Sequence, residues 1–356
     1  MAAALRIGVL DGDDIGLEVV PAAVEVAKAA AKKHGVAIDW RPLPIGRRAL
    51  DTHGHTLPPA TMEELRRLDG WILGPIGHRA YPKQPNAINP HPILRKDFDL
   101  FANVRPTRSY PDIGCLHQGV DLVIVRENNE GFQPDRNMLA GSGEFRPNDD
   151  ITLSVRVITR KASYRVAKAA LELARARRKH MTFVHKDTVF KLGCGMFVEE
   201  CRRAAAEYPD VKVDDVIVDT FAMRLVRDPQ TFDVVVTTNM FGDILSDEAA
   251  GIVGGLGMAP GLCIGEGNVA MAQAVHGSAP DIAGKGIANP YSMIESTRML
   301  LEFLGVSRGR PEAVAAAGDI SKAVAAALAD PKARTGDIRG TGNTATFTRA
   351  VVENLG

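Results

Sequence analysis

The stretch Ile7-Gly-Val-Leu-Asp-Gly-Asp-Asp-Ile-Gly16 decides the fold class of this 356-residue chain. Its short apolar run, Ile7–Leu10, has the pattern of a buried strand, and a turn rich in glycine and aspartate follows. Apolar residues then recur at helical spacing over Val19–His34, and Gly35 predicts the end of that helix. Val36–Trp40 again predicts a strand. Such alternation of strands and helices is typical of an α/β protein.

The rest of the chain continues this alternation. We predict further strands at Trp71–Gly77, Val120–Val125, Met181–Val184, Val213–Val218 and Phe232–Thr237, and further helices at Leu94–Phe101, Ser163–Arg178, Phe190–Tyr208 and from about Gly242. The segment Ala80–Pro92 carries four prolines and is predicted to be a loop. Phe132–Asp150 is polar and rich in glycine, proline and asparagine, which predicts an ordered excursion or a protruding arm.

Composition places the chain among ordinary globular proteins. Hydrophobic residues make up 45% and charged residues 24%, and 43 basic residues balance 43 acidic ones. Without a basic excess we expect no nucleic-acid partner, and without an apolar run of about 20 residues we expect no membrane span. The N-terminus lacks the apolar core of a signal peptide, and the four cysteines lack the spacing of a disulfide framework or zinc site. These features predict a cytoplasmic protein.

The segment Asn239-Met-Phe-Gly-Asp-Ile-Leu-Ser-Asp-Glu248 follows a predicted buried strand, where open α/β sheets bind ligands. Asp243 and Asp247 are four residues apart, so a helix places both carboxylates on one face. Two uncompensated carboxylates repel each other, and Mg²⁺ or Mn²⁺ relieves that repulsion. An acidic helical turn that complements the helix dipole fits the pattern equally well. The residues alone leave both interpretations open.

Three arginines and one lysine lie near predicted strand ends or in loops. Arg95, Arg105 and Arg126 are suited to clamping the carboxylates of an anionic substrate, which a chain of zero net charge must bind locally. Lys186, at the end of the strand that includes Phe183, is placed as a proton carrier would be. For each residue taken alone, a solvated surface side chain is the alternative.

The loop His276–Pro290 is rich in glycine, alanine and proline, and such small residues let a backbone approach a ligand closely. Asp281 is suited to accept hydrogen bonds from ribose hydroxyls and would repel a 2′-phosphate. A purely structural loop is the alternative. Nearby, Gly265–Ala270 matches a relaxed dinucleotide fingerprint, but the segment after it is too short for the helix that this motif requires, so we reject it.

Together these segments resemble the isocitrate/isopropylmalate dehydrogenase family, the β-decarboxylating dehydrogenases. Five motifs stand in family order over nearly the whole chain. They are Gly-Asp-x-Ile-Gly-x-Glu, Asp-Leu-Phe-Ala-Asn-Val-Arg-Pro, Arg-Glu-Asn-x-Glu-Gly, Asn-x-Phe-Gly-Asp-Ile-Leu-Ser-Asp and His-Gly-Ser-Ala-Pro-Asp-Ile-Ala-Gly-Lys. Five long motifs in order are a specific signal, and they outweigh the bland alternative for each segment.

The resemblance implies an isopropylmalate-dehydrogenase-like, doubly wound α/β fold, distinct from the usual dinucleotide-binding (Rossmann) fold. It implies two domains. Residues 1–102 and 256–356 would form a discontinuous large, cofactor-binding domain, and residues 103–255 a small domain with a dimer-forming arm near 132–160. It also implies a homodimer whose active sites draw residues from both subunits.

The resemblance further implies a role for each matching residue. The substrate would be bound by Arg95, Arg105, Arg126, His91 and Gln133, and the catalytic residues would be Lys186 and Asp219. The metal, Mg²⁺ or Mn²⁺, would be bound by Asp243, Asp247 and the partner subunit's Asp219. NAD would be bound by His276, Gly277, Ser278, Asp281, Ile282, Asn289 and Asp337. Asp281-Ile282 resembles the pair of NAD-dependent members, since NADP-dependent members carry basic and aromatic residues there.

The implied reaction is NAD-dependent oxidation, with decarboxylation, of a 3-substituted (R)-malate-type hydroxy acid. Lys186 would take the hydroxyl proton as hydride passes to the nicotinamide, and the metal would polarise the ketone. A D-malate- or tartrate-type dehydrogenase and a catalytically silent regulatory subunit of the same fold are the alternatives. Retention of Lys186 and of the charged residues of the metal and substrate sites argues against the silent subunit.

Four departures from the family pattern concern the reaction and its substrate. Gln133 stands where the family has a catalytic tyrosine, which puts the decarboxylation half in question, and Thr188 replaces an asparagine. Asn89, His91 and Pro92 precede Arg95 and match neither the isopropylmalate nor the isocitrate pattern. The loop before Arg95 also lacks the glutamate that isopropylmalate enzymes place beside the nicotinamide. We therefore expect a substrate side group smaller or more polar than isopropyl, although Ile93 and Leu94 offer an apolar wall if the loop is shifted.

Overall fold

A computed structural model describes residues 3–132 and 143–356. A ten-stranded sheet runs through the molecule in the order β2-β1-β3-β12-β11-β4-β5-β10-β8-β9. Its outer pairs are parallel, and only the three central pairings, β12–β11, β11–β4 and β4–β5, are antiparallel. The α/β fold class predicted from the alternation of strands and helices is confirmed.

The sheet strands are β1 (Leu5–Leu10), β2 (Ile38–Pro42), β3 (Gly70–Leu73), β4 (Ala102–Arg108), β5 (Asp121–Glu127), β8 (His180–His185), β9 (Lys212–Ile217), β10 (Val234–Thr237), β11 (Leu262–Ile264) and β12 (Ala270–Gln273). A separate exposed hairpin, β6 (Glu144–Asn148) with β7 (Ile151–Ser154), falls within the predicted dimer-forming arm near 132–160. Residues 133–142 of that arm lie outside the described residues.

The described residues form eleven α-helices. They are α1 (Gly16–Lys33), α2 (Gly46–His53), α3 (Pro59–Leu65), α4 (Pro90–Asp97), α5 (Arg160–Ala176), α6 (Gly193–Ala205), α7 (Val218–Arg227), α8 (Asn239–Ile252), α9 (Tyr291–Ser307), α10 (Pro311–Ala329) and α11 (Thr344–Glu353). None of them is long and apolar enough to cross a membrane, as far as the described ranges extend. All four cysteines are free thiols.

The two halves of the sheet come from different parts of the chain. Strands β2, β1, β3, β12 and β11 come from the two chain ends, whereas β4, β5, β10, β8 and β9 come from the middle. Apolar residues of α5 and α6 pack on the second half, in a cluster that includes Val166, Phe183, Phe197 and Val234. This arrangement supports the division at 102/103 and 255/256, which stays a prediction.

Two helices differ from their predicted bounds at the places that carry function. The helix predicted at Leu94–Phe101 spans Pro90–Asp97, so it begins within the segment predicted to be a loop. Asn89 caps it by accepting a hydrogen bond from the His91 amide at 3.1 Å, and Pro90 occupies the first turn, where a missing N–H costs nothing. The helix expected from Gly242 begins three residues earlier, at Asn239.

Candidate functional site

The carboxyl end of β10 leads directly into the acidic face of α8. Asp243 and Asp247 lie one turn apart, and their side chains are 52% and 51% exposed. Arg105 contacts both: its Nη1 lies 3.1 Å from Asp243 Oδ1 and 3.7 Å from Asp247 Oδ1. Arg126 also pairs with Asp243. The premise that these carboxylates are uncompensated is therefore wrong, because arginines from two neighbouring strands approach them.

These contacts and burial together shift the pKa values of the two aspartates in opposite directions. Burial raises the pKa of Asp243, but Arg126, Arg105 and Arg95 outweigh it, so the pKa lies below its usual value. Burial raises the pKa of Asp247 more than Arg105 lowers it. Asp243 is thus the more strongly ionised of the pair, and Asp247 is the carboxylate less well neutralised by the protein.

A glycine allows α8 to approach β5 closely enough for these contacts. A Cβ added at Gly242 would lie 2.7 Å from both Cβ and Cγ of Arg126. The same approach brings Asn239, in the first turn of α8, to Arg126, whose Nη2 donates to Asn239 Oδ1 at 2.6 Å. Asn239 is fully buried and was not predicted as a site residue. Its position within the Asn-x-Phe-Gly-Asp motif was the signal available in the sequence.

Three buried arginines converge on this end of the sheet. Arg95, Arg105 and Arg126 are 8%, 5% and 3% exposed, and the electrostatic influence of Arg95 reaches both Asp243 and Arg105. The Nε atoms of Arg95 and Arg105 are buried and have no hydrogen-bond partner in the described part of the chain. A buried charged donor without a partner is costly, and an anion that reached these atoms would supply the acceptors that the described chain does not.

A residue that the sequence did not single out connects Arg95 to the start of α4. Gln273 ends β12 and accepts a hydrogen bond from Arg95 Nη2 at 3.2 Å, while its Nε2 lies 2.8 Å from His91 Nε2. Leu94 is fully buried in the core, so it does not form the apolar wall that a shifted loop would have provided. The strand β12 has only four residues and was too short to predict.

Lys186 and Asp219 form a second polar cluster at the ends of β8 and β9. The Lys186 ammonium donates to Asp219 Oδ1 at 2.7 Å, and this hydrogen bond lowers the pKa of Asp219. Asp219 is 67% exposed. Within residues 3–132 and 143–356, no three His, Cys, Asp or Glu side chains come close enough together to hold a metal ion. A single chain therefore does not bring Asp219 together with Asp243 and Asp247.

A pocket of about 820 Å³ lies between the N-terminus of α1, the His276–Pro290 loop and the segment before α11. Of the seven predicted cofactor residues, five line it: His276, Gly277, Ile282, Asn289 and Asp337. Two do not. Asp281 is exposed, and Ser278 is buried with its carbonyl accepting a hydrogen bond from the Ile15 amide at 3.2 Å.

The protonation of His276 indicates which kind of ligand atom the pocket suits. Burial lowers the pKa of its imidazole, which is therefore neutral at pH 7. Its Nδ1 lies 3.0 Å from the Gly277 carbonyl oxygen, so Nδ1 must carry the proton. Nε2 is then an acceptor, and it is buried without a partner in the described structure. A ligand that offers a hydrogen-bond donor would satisfy it.

Because Gln133 stands where the family has a tyrosine, another tyrosine such as Tyr110 is a candidate for the missing proton donor. Gln133 lies outside the described residues. Tyr110 is buried in the core, 3.3 Å from the hydroxyl of Tyr291, and burial raises its pKa. It is therefore no substitute for the tyrosine that Gln133 replaces.

Comparison with known proteins identifies the origin of this arrangement. The sequence matches the isocitrate/isopropylmalate dehydrogenase family over residues 6–354. It is 42% identical over 353 residues to the isocitrate/homoisocitrate dehydrogenase of Thermus thermophilus, with 99% of each chain covered. The chain belongs to this family. The predicted resemblance is confirmed, and the protein is a dehydrogenase that acts on the hydroxyl group of a hydroxy acid.

Two further relatives show the range of the family. The 3-isopropylmalate dehydrogenase of Archaeoglobus fulgidus is 43% identical over 305 residues, covering 84% of this chain and 86% of the relative. The crystal structure of isocitrate dehydrogenase from Methylococcus capsulatus superposes with a TM-score of 0.86 at 40% identity, covering 99% of both chains. Relatives named for different hydroxy acids are thus similar to this chain to almost the same degree.

Proposed function

We propose that this dehydrogenase catalyses the NAD-dependent, Mg²⁺- or Mn²⁺-assisted oxidation, with decarboxylation, of a 3-substituted (R)-malate-type 2-hydroxy acid. One observation carries the proposal. Arg95, Arg105 and Arg126 converge beside two carboxylates on α8, and two of these buried arginines keep an Nε donor unpartnered in the described structure. A substrate with two or more carboxylates would supply the missing acceptors.

The oxygen ligands on α8 fit a hard divalent cation. Asp243 and Asp247 offer carboxylate oxygens on one exposed helix face, and Asp247 is the less neutralised of the two. With Asp219 of the partner subunit they would hold Mg²⁺ or Mn²⁺, which prefer such ligands. The bound cation would supply Lewis-acid polarisation of the substrate oxygen.

Lys186 is the proposed proton carrier for the substrate hydroxyl. Its ammonium already donates to Asp219 at 2.7 Å, and both side chains reach solvent, with 25% and 67% of their surfaces exposed. A lysine paired with a carboxylate on an open face can pass a proton to and from a group brought to it. We propose that it acts on substrate held by the other subunit, because its own α8 aspartates lie elsewhere.

The pocket around His276 is the proposed NAD site. Its unpartnered Nε2 acceptor fits an exocyclic amino group such as that of adenine, and Asn289 and Asp337, joined by a 3.0 Å hydrogen bond, offer polar groups for ribose. Asp281 neighbours Ile282 on the exposed loop beside this pocket. Its carboxylate would repel a 2′-phosphate, which favours NAD over NADP.

A homodimer is proposed from the apolar residues that the single chain leaves exposed. Met223 and Val226 on α7, and Met240 and Ile244 on α8, are between 37% and 59% exposed. The hairpin β6–β7 exposes further apolar side chains. Helices α7 and α8 pack against each other, and exposed apolar residues on neighbouring helices are of the kind that an obligate interface buries.

A polar 3-substituent is the favoured substrate feature. His91 and Gln273 lie 2.8 Å apart beside Arg95, so the surface that they form is polar and suits a polar substituent better than an isopropyl group. A D-malate- or tartrate-type substrate, with a small or hydroxylated substituent, is the second candidate on the same observation.

The proposal is tested by NAD reduction in the presence of Mn²⁺ with isopropylmalate, isocitrate, homoisocitrate, D-malate and tartrate. We expect activity with at least one acid whose substituent is polar or smaller than isopropyl, and higher kcat/KM with NAD than with NADP. A kcat/KM for isopropylmalate that exceeds those of the other acids by about tenfold would contradict the substrate assignment, because such a difference is larger than one hydrogen-bonding group contributes. Equal efficiency with NADP would contradict the role of Asp281.

A further inference from the structure

Gln273 joins two substrate-site residues through opposite ends of one side-chain amide. Its Oε1 lies 3.2 Å from Arg95 Nη2, and its Nε2 lies 2.8 Å from His91 Nε2. The backbone of Gln273 is fixed by its position at the end of β12 and by a 3.0 Å hydrogen bond from its amide to the Gly261 carbonyl. Gln273 as a whole is 9% exposed, so its side chain is an ordered bridge and not a surface amide.

The contact with Arg95 fixes the orientation of the Gln273 amide, and that orientation fixes the tautomer of His91. A guanidinium only donates, so the Gln273 atom facing Arg95 must be the oxygen. The amide nitrogen then faces His91 and donates, which makes His91 Nε2 an acceptor and leaves the proton of the neutral ring on Nδ1. Arg95 and the His91 tautomer are thereby set by one residue.

The neutrality of the bridge matters for Arg95. A carboxylate at this position would form an ion pair with the guanidinium and compensate its charge. The amide orients Arg95 without doing so, and the Nε atom of Arg95 stays buried and unpartnered in the described structure. The charge of Arg95 is therefore kept for an anion that comes from outside the chain.

We propose that Gln273 is a positioning residue that determines substrate specificity. It holds Arg95, which forms no ion pair in the described structure, for a substrate carboxylate, and holds His91 for the polar substituent on the neighbouring carbon. The inference rests on the proposed function, since it assigns both groups to one hydroxy acid. Its consequence is that the site recognises a carboxylate and a polar 3-substituent together.

Two substitutions at Gln273 separate charge from packing. Gln273→Glu retains an acceptor for Arg95 but neutralises it, so KM for the preferred hydroxy acid should rise by about tenfold or more. Gln273→Met keeps the volume and loses both hydrogen bonds without adding charge, so KM should rise by about three- to fivefold. In both variants kcat should change much less than KM. Gln118→Glu adds the same charge at an exposed position and should leave both parameters unchanged.

The order of the two effects decides the proposal. If Gln273 only supported the fold, the glutamate would do less harm than the methionine, because it preserves the contact with Arg95. A smaller KM effect in Gln273→Glu than in Gln273→Met overturns the inference, as does a change confined to kcat.

A second measurement separates this inference from the proposed function. Wild-type protein that oxidises none of the five acids would contradict the proposed function. Calorimetric binding of tartrate, whose 3-hydroxyl is a polar substituent, with Mn²⁺ then tests Gln273 independently: weaker binding in Gln273→Glu than in Gln273→Met supports it. The opposite order, or no tartrate binding by wild type, overturns it.

Discussion

Asp247 offers a test of the proposed metal site that does not depend on the substrate. Asp247→Asn removes the carboxylate that the arginines neutralise least, so we expect Mn²⁺ affinity to fall and turnover to drop by about 10²-fold or more. Electron spin resonance of bound Mn²⁺ measures the affinity, and steady-state assays measure the turnover. Glu248→Gln removes the same charge from the next position on α8 and should change neither. Unchanged metal-dependent activity in Asp247→Asn would disprove the assignment.

Gln133 carries a prediction about the second half of the reaction. A tyrosine can donate a proton to an enolate carbon, whereas a glutamine amide cannot at neutral pH, so the steps after oxidation should be slow by about 10²–10⁴-fold. Gln133→Tyr should raise steady-state turnover on a decarboxylated substrate and leave hydride transfer nearly unchanged.

Stopped-flow measurement of the NADH burst, compared with steady-state turnover, tests this for both forms. A wild type without a burst, combined with lower rates in Gln133→Tyr, would make Gln133 a positive part of the site and contradict the interpretation of a missing acid.

At the scale of single elements, helix α8 depends on one glycine. A methyl group at Gly242 would lie 2.7 Å from Arg126, so Gly242→Ala should push α8 away from β5 and destabilise the fold by about 1–3 kcal/mol. It should also weaken substrate binding by displacing Arg126. Gly251→Ala, in the same helix but with open space around it, should stabilise by about 0.5–1 kcal/mol. Denaturant unfolding of both variants tests the contrast, and equal effects would contradict it.

The elements also show where sequence patterns suffice and where they fail. Parallel strands such as Val234–Thr237 were predictable because a strand buried on both faces is a continuous apolar run. Helix α4 was misplaced because prolines suggest a loop, although Pro90 occupies a first helical turn. Helix α9 is buried around most of its circumference, including Ser292 and Glu295, so it has little amphipathic pattern.

Only those residues of the candidate site that lie within local sequence motifs could be predicted. Arg95, Arg105, Arg126 and the α8 aspartates each lie in a recognisable stretch, and the structure brings them together. Gln273 stands outside any charge pattern, and its role depends on a contact with His91, which is 182 residues away in the chain. Pairings over such distances are set by strand order, which composition and periodicity do not contain.

At the scale of the whole molecule, the proposed sharing of active sites between subunits can be tested by mixing two variant proteins. Lys186→Met and Asp247→Asn should each disable both sites of the proposed homodimer. In a mixed dimer, one site would receive Lys186 from one subunit and Asp247 from the other and be intact. Random exchange of subunits should therefore restore about a quarter of wild-type activity.

The mixing experiment uses equal amounts of both variants, denatured and refolded together, with separately refolded variants as the control. Sites contained within one chain would show no recovery beyond the sum of the two inactive proteins.

The unbroken sheet has a mechanical consequence. Hydrogen-bonded registers continue from β12 through β11 and β4 to β5, so the two halves share a continuous backbone ladder and not a flexible linker. Any motion that brought the His276 pocket towards α8 would have to be absorbed as torsion of these four strands, since sheets tolerate twist more readily than broken pairing. The two halves would then be elastically coupled, and the binding energy of a substrate held between them would have to offset the energy needed to twist the sheet.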